Sequence, residues 1–169
     1  MSKIVVTGSS GYIGGSLVNR LRAKPDRQHL TLIDRRRSDS SFDGHDARLD
    51  LSVAKVDDIR RHLTVGDVVF HLAAARTDWG PSYDQYYRDN VVATNNLLEA
   101  CKLAGVRRMV YFSTVGVYGP SSVPLSERDD LNPVGPYGET KAIAEQAVID
   151  TAQQEDWSLR VIRPSAVFS

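Results

Sequence analysis

Thr114, Tyr137 and Lys141 have the types and spacing to move a proton between an enzyme and an alcohol or ketone. Tyr137-Gly138-Glu139-Thr140-Lys141 puts a phenol and an amine four positions apart, which on a helix is one face. A phenol with its ordinary pKa of about 10 is a poor base at neutral pH. A lysine ammonium beside it favours the phenolate, and so does the positive ring of an oxidised nicotinamide. Tyr137 then takes the proton of a substrate hydroxyl while hydride leaves the same carbon. Thr114 offers its own hydroxyl to hold that oxygen. Standing alone, a tyrosine and a lysine at this spacing are as well read as an exposed helix pair. Their meaning depends on the elements that position them.

The strongest of those elements opens the chain. Ile4-Val5-Val6 is an apolar β-branched run that predicts a buried strand. Glycines follow at 8, 11 and 14, and Tyr12 to Leu21 then has helical spacing. Strand, glycine turn and helix make a site for the pyrophosphate of a dinucleotide. Gly8 permits the turn, Gly11 lets backbone approach the phosphates, and Gly14 lets the helix lie on the strand. The helix N-terminus, at Tyr12 and Ile13, aims free N–H groups at the anion. A second strand, Leu30-Thr31-Leu32-Ile33-Asp34, ends in a carboxylate twenty positions after Gly14. That is where an acidic residue accepts from an adenosine ribose. Arg35-Arg36-Arg37 comes next, and reads either as a clamp for the 2′-phosphate of NADP or as a solvated loop. An ionised Asp34 repels a phosphate, so NAD is favoured over NADP.

The alternation continues. Ala47-Arg48-Leu49-Asp50-Leu51 is expected as a third strand ending at a carboxylate near the adenine, with Ser52 capping a helix from Val53 to Leu63. Asp67 to Ala75 is the fourth strand and the turn after it, too continuously apolar for a half-exposed strand. His71 within it reads as a packed, hydrogen-bonded core residue rather than a catalytic one. Arg76 to Asp89 is expected as a polar loop whose tyrosines, Tyr83, Tyr86 and Tyr87, pack. Asn90 to Leu103 is a helix stopped by Gly105, and Arg108 to Thr114 a fifth strand. Gly119 to Pro136, with four prolines, is a long loop of the kind that binds substrates. Tyr137 to Gln154 is a helix and Leu159 to Arg163 a last strand. Six strands with intervening helices imply a doubly wound α/β fold of Rossmann type, a parallel sheet in the order 3-2-1-4-5-6 with helices on both faces. The ligand belongs at the carboxyl ends of the strands. Thr114, Tyr137 and Lys141 fall on that edge.

Composition narrows the functional classes. Lysine plus arginine and aspartate plus glutamate both number 21, so no overall field favours nucleic acid or anionic lipid. No apolar run approaches the roughly 20 residues that span a bilayer. Cys101 is the only cysteine, which excludes an internal disulfide and a cysteine-cluster metal site. These features point to a small-molecule enzyme of the reducing cytoplasm with no metal, no membrane and no nucleic-acid partner.

Thr7-Gly8-x-x-Gly11-x-x-Gly14, His71-Leu72-Ala73-Ala74, Asn90-Val91 with Thr94, Ser113-Thr114 before Val117-Tyr118-Gly119, Tyr137-x-x-x-Lys141 and Arg163-Pro164 follow one another along the whole chain. In that order they resemble the extended short-chain dehydrogenase/reductases, and most closely their NAD-dependent epimerase/dehydratase branch, which acts mostly on nucleotide sugars. The resemblance implies a cofactor held by Gly8, Gly11, Tyr12, Ile13, Gly14 and Asp34; Arg35, from the arginine run, is the further cofactor candidate beside Asp34. Asp50 and Leu51 would lie near the adenine, and Leu72, Ala73 and Ala74 along the cofactor channel. Asn90 would be a structural or cofactor-side residue, Ser113 would stand on the cofactor side, Pro164 near the nicotinamide, and Lys141 on its ribose. It also implies a homodimer through the helices near 90–104 and 137–154. Val115 and Gly116 stand where dehydratases of this type carry acidic residues, so epimerase or reductase is preferred to dehydratase. The resemblance further implies a C-terminal substrate-binding region beyond Val167-Phe168-Ser169. The chain 1–169 therefore reads as an NAD(P)-binding Rossmann domain lacking it. Three readings stand: a nucleotide-sugar epimerase; a reductase or dehydrogenase of a steroid-like or other carbonyl substrate; and a non-catalytic dinucleotide-binding module.

Overall fold

The computed structural model describes residues 3–24, 29–36, 45–76 and 82–167. Six strands pair in parallel: β1 (Ile4–Thr7), β2 (Leu30–Asp34), β3 (His45–Arg48), β4 (Val68–His71), β5 (Arg108–Phe112) and β6 (Ser158–Ile162). Their order across the sheet is β3-β2-β1-β4-β5-β6. The register aligns the strand ends that matter, with Thr7 opposite Ile33 and His71, His71 opposite Tyr111, and Phe112 opposite Ile162. Helices α1 (Tyr12–Arg22), α2 (Val56–Arg60), α3 (Tyr83–Tyr86), α4 (Ala93–Ala104) and α5 (Gly135–Gln154) connect them.

Alternation along β1 sends its side chains to different cores. Val5 joins a large cluster with Ile33, Val69, Met109 and Tyr111 from the sheet and Ile59, Leu97, Cys101, Ala144 and Val148 from α2, α4 and α5. Val6 joins a smaller cluster with Leu30 and Leu32, closed by Val18 and Leu21 of α1. Cys101 is wholly buried, and burial pushes its thiol up to about 12, so it behaves as a small hydrophobe. Among the described residues, no helix is long and apolar enough to cross a membrane.

Three expectations need correction. The third strand covers 45–48, not 47–51, and Leu49, Asp50 and Leu51 lie beyond it. The Asp50 carboxylate accepts from the backbone N–H and the hydroxyl of Ser52 at 2.9 and 2.7 Å, while the Asp50 carbonyl accepts from Val53 and Ala54. This local turn competes with the sheet ladder and ends it. The same bonds occupy Ser52, so it caps no helix. Helix α2 begins at Val56 with Lys55 as its N-cap. The segment before Asn90 is not a loop from residue 82 onward. Ser82 and Gln85 form a reciprocal capping box that starts α3, and a π-helical turn, Tyr87–Val92, joins α3 to α4. Residues 77–81 of that expected loop, and Arg37 to Gly44, lie outside the described residues. Tyr86 is buried as expected of a packing residue, and Tyr83 and Tyr87, each 42% exposed, stack on one another with ring centroids 6.3 Å apart.

The opening glycines are set by space. Gly8 has a φ of +68°, and a Cβ there would stand 2.6 Å from the Ala73 nitrogen. At Gly14 a Cβ would stand 2.1 Å from the Gly8 carbonyl oxygen. The first turn of α1, the glycine turn and the end of β4 are therefore pressed backbone to backbone.

Gly14→Ala is expected to lower stability by about 1–3 kcal/mol, since only backbone atoms can give way. Gly15→Ala, one position on, meets nothing nearer than the Ser9 carbonyl at 3.7 Å. Inside the helix it is expected to leave stability unchanged or raise it by up to about 1 kcal/mol. Urea unfolding of the two variants checks both, and equal destabilisation would contradict the packing described.

Candidate functional site

The carboxyl ends of the strands carry a groove on the β2–β1–β4 side. Gly8, Gly11, Asp34, Arg35, Asp50, Leu51, Leu72, Ala73 and Ala74 line it, and all nine were expected from sequence. Ile33, Arg36, Leu49, Ala75, Asp89 and Ala93 line it as well. Arg36 belongs to the arginine run that follows β2; nothing in the sequence marks the other five, which reach the groove from the end of β2, the turn after β3, the stretch after β4 and the helical segment over 83–104.

Asp34 is fixed by its neighbours. One carboxylate oxygen accepts from the Ser10 N–H and the other from the Arg36 N–H, each at 2.9 Å. The side chain is thus aimed along the glycine turn, with lone pairs to spare for a hydroxyl. Tyr12, Ile13 and Gly14 form the first turn of α1. Gly14 is buried and Tyr12 is 54% exposed. Gly11 is the N-cap and has no side chain to satisfy the N–H groups of that turn.

The remaining expected residues lie at the other end of the same edge. Ser113 and Thr114 leave β5 directly. The Thr114 hydroxyl accepts from the Gly116 N–H at 3.1 Å and so starts a 3-10 turn over Val115–Tyr118. Pro164 follows β6, and its carbonyl accepts from the Val115 N–H at 3.1 Å. That turn packs on the start of α5 because Gly138 has no side chain. A Cβ there would lie 2.8 Å from the Gly116 carbonyl oxygen. Sequence reading treated Gly138 only as a spacer between Tyr137 and Lys141.

Lys141 is 2% exposed. Its ammonium donates to the Phe112 carbonyl at 2.7 Å and stands 4.3 Å from the centre of the Tyr111 ring. Burial pulls its pKa down to about 7, against the opposing pull of Glu145 one turn further along α5. Tyr137, one turn earlier, meets the ring of Tyr86 at 6.1 Å between centroids. Tyr111 lies beneath Lys141 in the core, and burial raises its phenol. Glu145 is fully buried and pairs with Arg163, whose guanidinium also donates to the Tyr118 hydroxyl. Tyr86 and Tyr111 could not be read as site residues from spacing, since they arrive from α3 and β5, whereas Glu145, four positions after Lys141 on α5, had a spacing signal that sequence reading did not use.

Two buried polar links tie the halves together. The Thr94 hydroxyl donates to the Asn90 carbonyl at 2.6 Å, so its oxygen must accept from His71 Nε2 at 2.9 Å. His71 Nδ1 is then an acceptor, and the Thr7 hydroxyl donates to it at 2.6 Å. The ring is neutral, wholly enclosed and pulled down to about 3 by burial and by the Lys141 charge. This is the packed histidine expected from sequence. Asn90 supplies the second link. Its side-chain oxygen accepts from the Ala75 N–H at 2.7 Å and its amide donates to the Thr140 hydroxyl at 3.0 Å. Asn90 therefore pins the stretch after β4 to the turn of α5 that carries Tyr137. Among the described residues no group of three or more histidine, cysteine, aspartate or glutamate side chains is placed to hold a metal.

Residues 4–169 match the family model for the NAD dependent epimerase/dehydratase family. The chain is 33% identical over 161 residues to the UDP-glucose 4-epimerase of Rhizobium meliloti (strain 1021), covering 88% of this chain and 47% of that protein. It is 34% identical over 182 residues to the 2-alkyl-3-oxoalkanoate reductase of Stenotrophomonas maltophilia (strain K279a), covering 98% and 51%. Among solved structures, MoeE5 in complex with UDP-glucose and NAD superposes with a TM-score of 0.80 at 36% identity, covering 95% of this chain and 52% of that one. The chain spans about half the length of the curated relatives it matches.

The His71 link has a pH signature. The ring stays neutral in the folded chain down to about 3, while in the unfolded chain it takes up a proton below its ordinary value of about 6.5. Its contribution is fully present above pH 6.5 and is lost as pH falls from there toward 3. About 2 kcal/mol of that loss belongs between pH 7 and pH 5. His71→Gln is expected to show a correspondingly flatter dependence of stability on pH, read from urea midpoints at the two values. Parallel curves for the two proteins would contradict a neutral buried ring.

Proposed function

The chain belongs to the NAD-dependent epimerase/dehydratase family, and on that premise we propose that it is the cofactor-binding and proton-transferring part of a nucleotide-sugar epimerase. The observation that carries the reading is one continuous strand edge. It has the glycine turn and Asp34 at one end, Tyr137 and Lys141 at the other, and Ala73–Ala75 held between them by Asn90.

The residues present fit an adenine dinucleotide. The glycine turn has no room for a Cβ at Gly8 or Gly14, and an uncapped helix N-terminus follows it. Two buried hydroxyls beside the edge, Ser9 and Ser113, have no hydrogen-bond partner among the described residues. Gly8, Gly11, Tyr12, Ile13 and Gly14 would hold the diphosphate, with Asp34 on the adenosine ribose. Asp50 and Leu51 would border the adenine. Leu72, Ala73, Ala74, Ser113 and Pro164 would lie along the nicotinamide half. Bound NAD supplies a reversible acceptor for hydride.

The rest is the work of this chain's own side chains. Tyr137, as phenolate, takes the proton of the sugar hydroxyl. The Lys141 ammonium stabilises that phenolate, and its bond to the Phe112 carbonyl fixes where the charge sits. Thr114 holds the reacting oxygen. Tyr137 returns the proton when the hydroxyl is re-formed on the opposite face of the ring, which inverts the carbon. Val115 and Gly116, directly after Thr114, offer no carboxylate for eliminating water. The likeness to a 2-alkyl-3-oxoalkanoate reductase supports a second reading, in which the same three residues serve a one-way ketone reduction. The two differ in what becomes of the cofactor. An epimerase regenerates it at each turnover and retains it, while a reductase exchanges it.

The proposal includes a homodimer through α4 and α5. Leu103 and Ile143 on those helices are 56% and 41% exposed, which supports an apolar contact there. Sedimentation equilibrium is expected to give a concentration-dependent dimer, and a monomer at all concentrations would remove this part. For the chemistry, Tyr137→Phe is expected to lower hydride transfer from a UDP-sugar by about 100-fold or more, as loss of a general base does. NAD affinity, measured by titration, is expected to change by less than about twofold, because Tyr137 adds little to ground-state binding. Undiminished transfer in the variant would refute the role given to Tyr137.

A further inference from the structure

Arg35 follows Asp34 at the end of β2, the position from which an arginine receives the 2′-phosphate of NADP. In the structure its guanidinium is already engaged. Arg35 Nη1 meets Asp89 Oδ2 at 3.0 Å, across the groove from β2. The other oxygen of Asp89 is taken by Arg88 Nε at 2.8 Å. We propose that Asp89 is a cofactor-selectivity residue, which holds Arg35 away from a 2′-phosphate and thereby enforces NAD over NADP. The inference deepens the NAD-binding reading above and rests on it.

Three features carry it. Asp89 and Arg35 both line the adenosine half of the groove. The Arg35 side chain is 52% exposed while Asp89 is only 11% exposed. Packing therefore leaves the guanidinium free to turn, and the Asp89 carboxylate is the fixed partner that directs it. The third feature is the surrounding charge. Asp34 is fixed by the Ser10 and Arg36 N–H groups and cannot swing aside for a phosphate. Asp50 stands nearby. Burial works to raise its carboxyl, but the Ser52 hydrogen bonds and the Arg35 and Arg88 charges outweigh it and hold it below its ordinary value. A 2′-phosphate, with close to two negative charges, would meet Asp34, Asp50 and Asp89 while the guanidiniums of Arg35 and Arg88 are both paired with Asp89. Guanidinium grips phosphate through two parallel N–H bonds, which requires a free planar fork. The 2′-hydroxyl of NAD asks nothing of Arg35. Asp89 is invisible to the fingerprint reading, because it belongs to the π-helical turn and not to β2.

The test compares NAD and NADP affinity by isothermal titration at one fixed salt concentration. Wild type is expected to prefer NAD. Asp89→Asn removes a charge and frees Arg35, and is expected to shift the NAD:NADP affinity ratio about tenfold toward NADP. Arg35→Ala added to that variant is expected to abolish the gain. Arg35→Ala alone is expected to change NADP affinity by less than about twofold, because the side chain is already occupied. A ratio unmoved by Asp89→Asn, in a variant that still binds NAD, overturns the inference and leaves the NAD reading intact. So does a gain that survives loss of Arg35. If Asp89→Asn does not fold, the single Arg35 variant decides: a fivefold loss of NADP affinity would mean that Arg35 already serves the phosphate. A wild-type chain that binds neither dinucleotide overturns the NAD reading and this inference together.

Discussion

A buried chain of hydrogen bonds through one neutral histidine holds the site in register. Thr7 ends β1, His71 ends β4 and Thr94 lies on α4, and the imidazole joins all three. Each bond has one direction, because the Thr94 proton is committed to the Asn90 carbonyl. Enclosed in a medium that punishes an unpaired polar atom, the chain permits one tautomer and one geometry. The Thr7 oxygen also accepts from the Ala73 N–H, at 3.3 Å. The glycine turn after β1 and the small residues after β4 are thus set against one another before any ligand arrives.

The end of the edge that carries Tyr137 and Lys141 depends on the same region. Asn90 lies one helical turn before Thr94 and reaches both Ala75 and Thr140. Residues from β1, β4, α4 and α5 form one connected polar layer. Lys141 lies at its margin, bonded to a backbone carbonyl and resting on a buried aromatic ring. A site built this way is pre-organised, and a substrate or cofactor need not pay to arrange it.

Much of this was legible in the sequence, for a physical reason. The glycine turn, the strand ending in Asp34 and the pair Tyr137 and Lys141 are signals within one βα unit or one helix turn, where spacing determines neighbours. The strand order followed because parallel crossovers of one hand leave few alternatives. His71 could be read as packed because an apolar strand predicts burial. What stayed hidden was of two kinds, local side-chain bonds to backbone that override a pattern and contacts between distant elements. The turn at Asp50 and Ser52 defeats a plausible strand and a plausible cap together. The capping box at Ser82 and Gln85 was hidden by a polar, tyrosine-rich stretch that reads as a loop. Asp89 and Arg35 are 54 positions apart and meet only once the groove exists.

The central claim is that one dinucleotide spans the strand edge from the glycine turn to Tyr137. The most direct test is a heteronuclear magnetic resonance titration of the isotope-labelled chain with NAD. The account predicts a single saturable event that shifts the amide signals of Gly11, Tyr12 and Ile13 and, in step with them, the ring carbon of Tyr137 bearing the hydroxyl and the Lys141 amine. Shifts confined to one end of the edge, or two events with different saturation points, would contradict it.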